Sequence, residues 1–177
     1  MPNSTTFTPF PRRDFIPDPI TMPRPERLRY LIENHGKLKR RYRDSYSSVV
    51  GIIETVSEGR ELSLSEITPV QKETLMKNLV DSRNEIAKSY SQALLVFKNM
   101  ANELVPGTFP IADTPTTSGD FWDWIDSALG WLAGLFREIG DVFGHFGWDA
   151  GEAGMDQIAD WTDDLRNALD ENRPDDD

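Results

Sequence analysis

The sequence predicts an all-α protein: a long antiparallel, coiled-coil-like helical hairpin, two shorter amphipathic C-terminal helices and a Pro-rich N-terminus. Three observations predict it. Apolar residues recur at helical spacing over four segments, and few strands are suggested. Most of the 12 prolines lie in the first 25 residues or between Pro106 and Pro115, outside those segments. Helix start and stop signals bracket the periodic stretches.

Residues 1–24 read as a flexible arm, because repeated proline removes donors and holds the backbone away from helix. Phe7, Phe10, Phe15 and Ile16 lie among these prolines. No apolar core of signal-peptide length occurs there, so no secretory leader is expected. The sequon at Asn3-Ser4-Thr5 is therefore given little weight.

The first helix is expected from about Pro25 to Glu58, with Pro25 in the first turn and Gly59 just past the end. Leu28, His35, Tyr42, Val49 and Val56 are spaced by seven, with apolar companions between them. This is a heptad seam interrupted at Ser45. After GRELSLSEIT, Thr68-Pro69-Val70-Gln71 supplies an N-cap, a proline at the first position and a residue able to close a capping box. The second helix then carries Leu75, Leu79, Ile86, Tyr90, Ala93, Phe97, Met100 and Leu104 until Pro106-Gly107 stops it. A short joining loop between helices of this length favours an antiparallel hairpin over 25–105.

Residues 106–119 are a linker by composition. The segment 120–148 follows as a Trp- and Gly-rich amphipathic helix. Wound at about 100° per residue, it gathers Phe121, Trp122, Trp124, Ile125, Leu129, Trp131, Leu132, Leu135, Phe136, Ile139, Phe143 and Phe146 on one broad arc. Asp123, Asp126, Arg137, Glu138, Asp141, His145 and several glycines fill the other side. Trp148-Asp149-Ala150-Gly151 interrupts the pattern. An acidic helix from Glu152 to Glu171 and an acidic tail complete residues 149–177.

Charge is strongly polarised within a net of −11. Residues 1–60 carry eleven Lys/Arg against seven Asp/Glu, whereas residues 120–177 carry three against sixteen. Lys37, Lys39, Arg40, Arg41 and Arg43 form a basic patch of five cations in seven residues. Three roles are open to it, in order of preference: docking the chain's own acidic C-terminal region, lipid headgroup contact, and nucleic-acid phosphate contact. Nucleic acid is disfavoured because the protein as a whole repels phosphate.

Enzymatic chemistry has little support. There is no Cys, which excludes disulfides and Cys-based metal sites. No GxSxG elbow, phosphate-cradling loop or EF-hand loop is present. The two histidines are far apart in sequence, and the acids Asp156, Asp160, Asp163 and Asp164 read as a solvated face rather than a metal site. No catalytic residue, cofactor or metal is expected.

The functional question is what covers the apolar arc of 120–148: a core, a partner or a membrane. A third bundle helix is the usual answer. The width of the arc, its tryptophans and its glycines, each costing about 1 kcal/mol relative to Ala, argue for a segment with a second, inserted state. In composition, over its 28 residues from 120 to 147, it is similar to viral fusion peptides and some lytic amphipathic peptides. Its acidic polar face departs from the basic face usual for membrane-surface helices, so insertion would follow protonation or oligomerisation. The leading expectation is a self-assembling, non-enzymatic, membrane-associating protein, intracellular and soluble to peripheral, with neither signal peptide nor transmembrane helix. Its partner would be a lipid membrane or an apolar protein surface, with a homo-oligomer formed through the hairpin. The alternative is a coiled-coil structural or adaptor protein, for example a viral or phage assembly component, whose apolar helix meets a protein.

Overall fold

The computed structural model describes residues 19–110 and 119–173. The expectations for most of the N-terminal arm, the centre of the linker and the last four tail residues lie outside these. The described residues hold four α-helices and no strand: α1 over Arg24–Ser57, α2 over Pro69–Leu104, α3 over Gly119–His145 and α4 over Asp149–Asn172. Short 3-10 turns at Pro19–Thr21 and Leu62–Leu64 precede α1 and α2.

The helix ends follow from local chemistry. Pro25 occupies the first turn of α1. Gly59 ends it with φ 65°, the Gly59 N–H donates to the Val56 carbonyl at 3.2 Å, and the Arg60 N–H donates to Thr55 at 3.1 Å. This is a Schellman closure, which needs the left-handed conformation that glycine adopts without strain. At the start of α2 the capping box is complete. The Gln71 N–H donates to Thr68 Oγ1 at 3.1 Å, and the Thr68 N–H donates to Gln71 Oε1 at 2.9 Å.

The joint between α3 and α4 is a second Schellman closure. Gly147 has φ 87° and donates to the Gly144 carbonyl at 3.0 Å, while the Trp148 N–H donates to Phe143 at 2.8 Å. The apolar contact that accompanies this motif is the Trp148 ring on Phe143, with centroids 4.6 Å apart. The break is thus concentrated at one glycine, and α4 begins at Asp149, three residues before the expected start. Asp149 and Glu152 in its first turn suit the positive end of the helix dipole.

Contacts at the helix ends and along their lengths tie the four helices together. The Arg24 guanidinium at the start of α1 donates to the Leu104 carbonyl at the end of α2, and Lys72 near the start of α2 reaches the Ser57 carbonyl at 3.5 Å. Lys88 of α2 lies 5.3 Å over the Trp124 ring of α3. Arg137 and Arg166 pair α3 with α4, and Asn172 Nδ2 at the end of α4 donates to Tyr30 Oη near the start of α1 at 3.1 Å. The core runs through the middle, with Leu31, Val49, Leu79, Ile86, Phe97, Leu129, Phe136, Phe143, Met155 and Ile158 all buried.

A polar knot crosses this core. Tyr90 and Thr162 are both fully buried, with their hydroxyls 2.8 Å apart. Thr162 Oγ1 spends its proton on the Ile158 carbonyl at 2.9 Å, so Tyr90 must be the donor to Thr162. Ser45, which interrupts the heptad seam of α1, is buried as well. A small residue there accommodates the tyrosine between three helices. Thr162→Val keeps the shape and removes the acceptor. It is expected to cost about 1 kcal/mol in denaturant unfolding, the loss associated with one buried hydrogen bond, while Tyr90→Phe in the Thr162→Val background adds little.

Candidate functional site

The apolar arc of α3 was the first candidate surface. The structure places Phe121, Trp122, Ile125, Leu129, Leu132, Leu135, Phe136, Ile139 and Phe143 in the buried core. Trp124 and Phe146 are partly buried against it. Trp131 alone among the arc residues is largely open, at 51% exposure. Its register explains this: Trp131 sits about 140° round the helix from Phe136, at the edge of the arc. The chain's own α2 and α4 cover the rest.

Charge fastens that cover. Arg166 of α4 grips Asp126 of α3 through two hydrogen bonds, Nε to Oδ1 at 2.6 Å and a second guanidinium nitrogen to Oδ2 at 3.0 Å. Arg137 of α3 reaches Asp163 at 2.6 Å and Asp160 at 3.2 Å, and Arg173 reaches Asp123 at 3.2 Å. Nothing in the apolar periodicity singles out these three arginines. The signal was their number: they are the only cations in residues 120–177. The α4 acids considered above as a cation face are largely committed, Asp160 and Asp163 to Arg137 and Asp164 to Arg41. No group of His, Cys, Asp or Glu among the described residues is arranged to hold a metal ion.

The basic patch divides. Arg41 contacts α4, with its guanidinium 3.2 Å from Asp164 and 5.7 Å over the Trp161 ring. Arg43 pairs with its neighbour Asp44, at 3.5 Å. Lys37, Lys39 and Arg40 are exposed. Lys39, Arg40 and Arg43 border an open groove of about 540 Å³ with Tyr42, Tyr46, Ser47 and Ala87. A second groove, of about 440 Å³, lies where the start of α2 meets the end of α3. Val70, Leu75, Ile139, Val142 and Phe146 form its walls, with Glu138, Asp141 and His145 at its edge.

Asp126, His35 and Glu85 each respond to burial or pairing. The Arg166 hydrogen bonds hold the Asp126 carboxyl below its ordinary 3.8, so it stays ionised at pH 5 and the clamp persists. Burial, then Lys98 and Lys39, push the His35 imidazole below 6.5, and the ring rests on Phe109 at 4.6 Å. Burial raises the Glu85 carboxyl, with Lys88 opposing. The unfolded chain therefore binds the His35 proton first as pH falls, so stability is intact above about pH 6.5 and declines below it. The Glu85 contribution has the opposite sign, being full below 4.5 and lost as pH rises through its raised value. His35→Leu is expected to flatten the stability profile between pH 7.5 and 5.5, as read by chemical denaturation at each pH.

No helix among the described residues is long and apolar enough to cross a membrane. Comparison of the chain with protein-family models, curated proteins and solved structures finds no match.

Proposed function

We propose that this chain is a non-enzymatic helical assembly protein, a structural or adaptor component that works by pairing its outer surface with other protein. In this reading α1 and α2 form a coiled-coil-like hairpin that serves as a strut, and α3 is an internal helix fixing α4 against it. One observation supports the reading above the others: the aromatic arc of α3 is already covered by α2 and α4, and the cover is clamped by Arg137, Arg166 and Arg173. A helix so occupied presents little to a bilayer.

The membrane-associating reading is the second, and it requires α3 to leave that core. Two features favour it. Trp131 already stands half in solvent, and the Trp122 indole N–H is buried without an acceptor, a cost that opening would relieve. Flotation with neutral and anionic vesicles, with dye leakage, at pH 7 and pH 5 separates the two. The assembly reading expects no flotation and no leakage at either pH. Flotation that is lost in a Trp122→Ala, Trp131→Ala double variant would replace it with the membrane reading.

A further inference from the structure

The groove on α1 is chemically one-sided. Lys39, Arg40 and Arg43 stand on its rim and Tyr42, Tyr46 and Ser47 complete its polar lining, while no carboxylate lines it. Every polar side chain there can donate a hydrogen bond, and three carry positive charge. Tyr42 and Tyr46 meet edge to face with centroids 6.3 Å apart, giving the groove an apolar floor. Tyr46 is 36% exposed, and the Arg43 side chain is 70% exposed. This is a surface built to receive carboxylates.

The chain shows how it receives them. Within the same turn of the helix, Arg41 holds an acid and an aromatic ring of α4, Asp164 and Trp161. Acids of the same kind are available elsewhere in the chain. With all three C-terminal arginines engaged, Glu138, Asp141, Asp149 and Asp156 at the α3–α4 turn end are exposed and make no ion pair among the described residues. Among the described residues none of these four acids pairs with Lys39, Arg40 or Arg43 of its own chain, so both surfaces stand open to a second copy.

We propose that the Lys39–Arg40–Arg43 groove of α1 docks the acidic α3–α4 turn end of a second copy, so that the chain self-associates head to tail. The inference rests on the assembly reading above and names its interface. Because groove and acidic end are different patches, the contact is heterologous and leaves a free groove and a free acidic end on every pair, so growth continues. Ionic strength acts twice. Copies of net charge −11 repel at long range, and salt near 0.15 M screens that repulsion beyond about 8 Å while sparing contact pairs. Near 1 M salt the contacts themselves are screened.

Sedimentation velocity of the full chain over a concentration series, at 0.15 M and 1 M NaCl, tests this. The wild type is expected to gain mass with concentration at 0.15 M and to become monomeric at 1 M. Lys39→Glu, Arg40→Glu, Arg43→Glu together should weaken association at least about tenfold, since several charge pairs are reversed at once. Asp141→Lys, Asp149→Lys, Asp156→Lys together should do the same. An equimolar mixture of the two triple variants should associate again, because the native groove of one meets the native acidic end of the other and the reversed groove meets the reversed end. All six positions are exposed, and unchanged helicity and unfolding midpoint certify the fold. A wild type monomeric at 0.15 M overturns the proposal, as does association unchanged by either triple variant or variants that stay apart when mixed. None of these results produces vesicle flotation, so the failure of this interface is distinct from the failure of the assembly reading.

Discussion

Phe136→Ala is expected to lose about 3–5 kcal/mol of unfolding free energy, the range for emptying a fully buried aromatic site. Phe136 is 0% exposed, between Leu132 and Ile139 on the centre line of the buried stripe. Truncation removes the whole ring from contact with the surrounding core and leaves a cavity that flanking helices, tied by long side-chain clamps, close only in part. Trp131→Ala on the same helix removes a larger ring but is expected to change stability by no more than about 0.5 kcal/mol, as for an exposed position. Urea unfolding of the two variants reads the contrast directly. Equal, small effects at both positions would mean that α3 is not packed as described.

Gly151→Ala is expected to destabilise by up to about 2 kcal/mol, against the usual benefit of removing a glycine from a helix. A Cβ at Gly151 would meet two Trp148 ring carbons at 2.5 Å and a Phe143 ring carbon at 3.0 Å. The stack that closes the α3–α4 turn therefore has to move. Overpacking of this kind costs about 1–3 kcal/mol, and the gain in helix propensity returns about 1. Gly134→Ala is the control. It is exposed on α3 and its Cβ would meet nothing within 4 Å, so it is expected to stabilise by up to about 1 kcal/mol. The unfolding midpoints of the two variants should move in opposite directions.

These glycines show where reading the sequence stops. The six glycines of 119–147 were grouped as helix-weakening residues suited to an inserted state, yet they have separate settings. Gly147 provides a left-handed turn, Gly140 and Gly144 lie against Asp156 and Glu152 of α4, and Gly134 lies in the open. The all-helical class was legible, because capping at Thr68–Gln71 and the stops at Gly59 and Pro106 are local signals set by neighbouring residues. The arc of α3 was legible too, but not its limits: Trp131 was read as part of the arc and stands 51% exposed.

What covers the arc was not legible. The contacts that settle it join residues far apart in sequence: Asp126 to Arg166, Asp123 to Arg173, Tyr90 to Thr162. No periodicity within one helix encodes a partner 40 or more positions away. Docking to the acidic C-terminal region is one of three roles the sequence leaves open to the basic patch, and of its five cations Arg41 meets an α4 acid, Asp164. The division of the patch, with Lys39, Arg40 and Arg43 turned toward an open groove, depends on where α4 lies and is invisible in composition.

The central claim is that α3 is an internal helix of the working protein. Native-state hydrogen exchange at pH 7, with and without anionic vesicles, tests it most directly. Amides of Leu129–Phe143 are expected to be protected as strongly as those of Leu79–Phe97, through the same global opening, and vesicles to leave both unchanged. Exchange of the α3 amides far ahead of α2, or a change in their protection when vesicles are added, would contradict it.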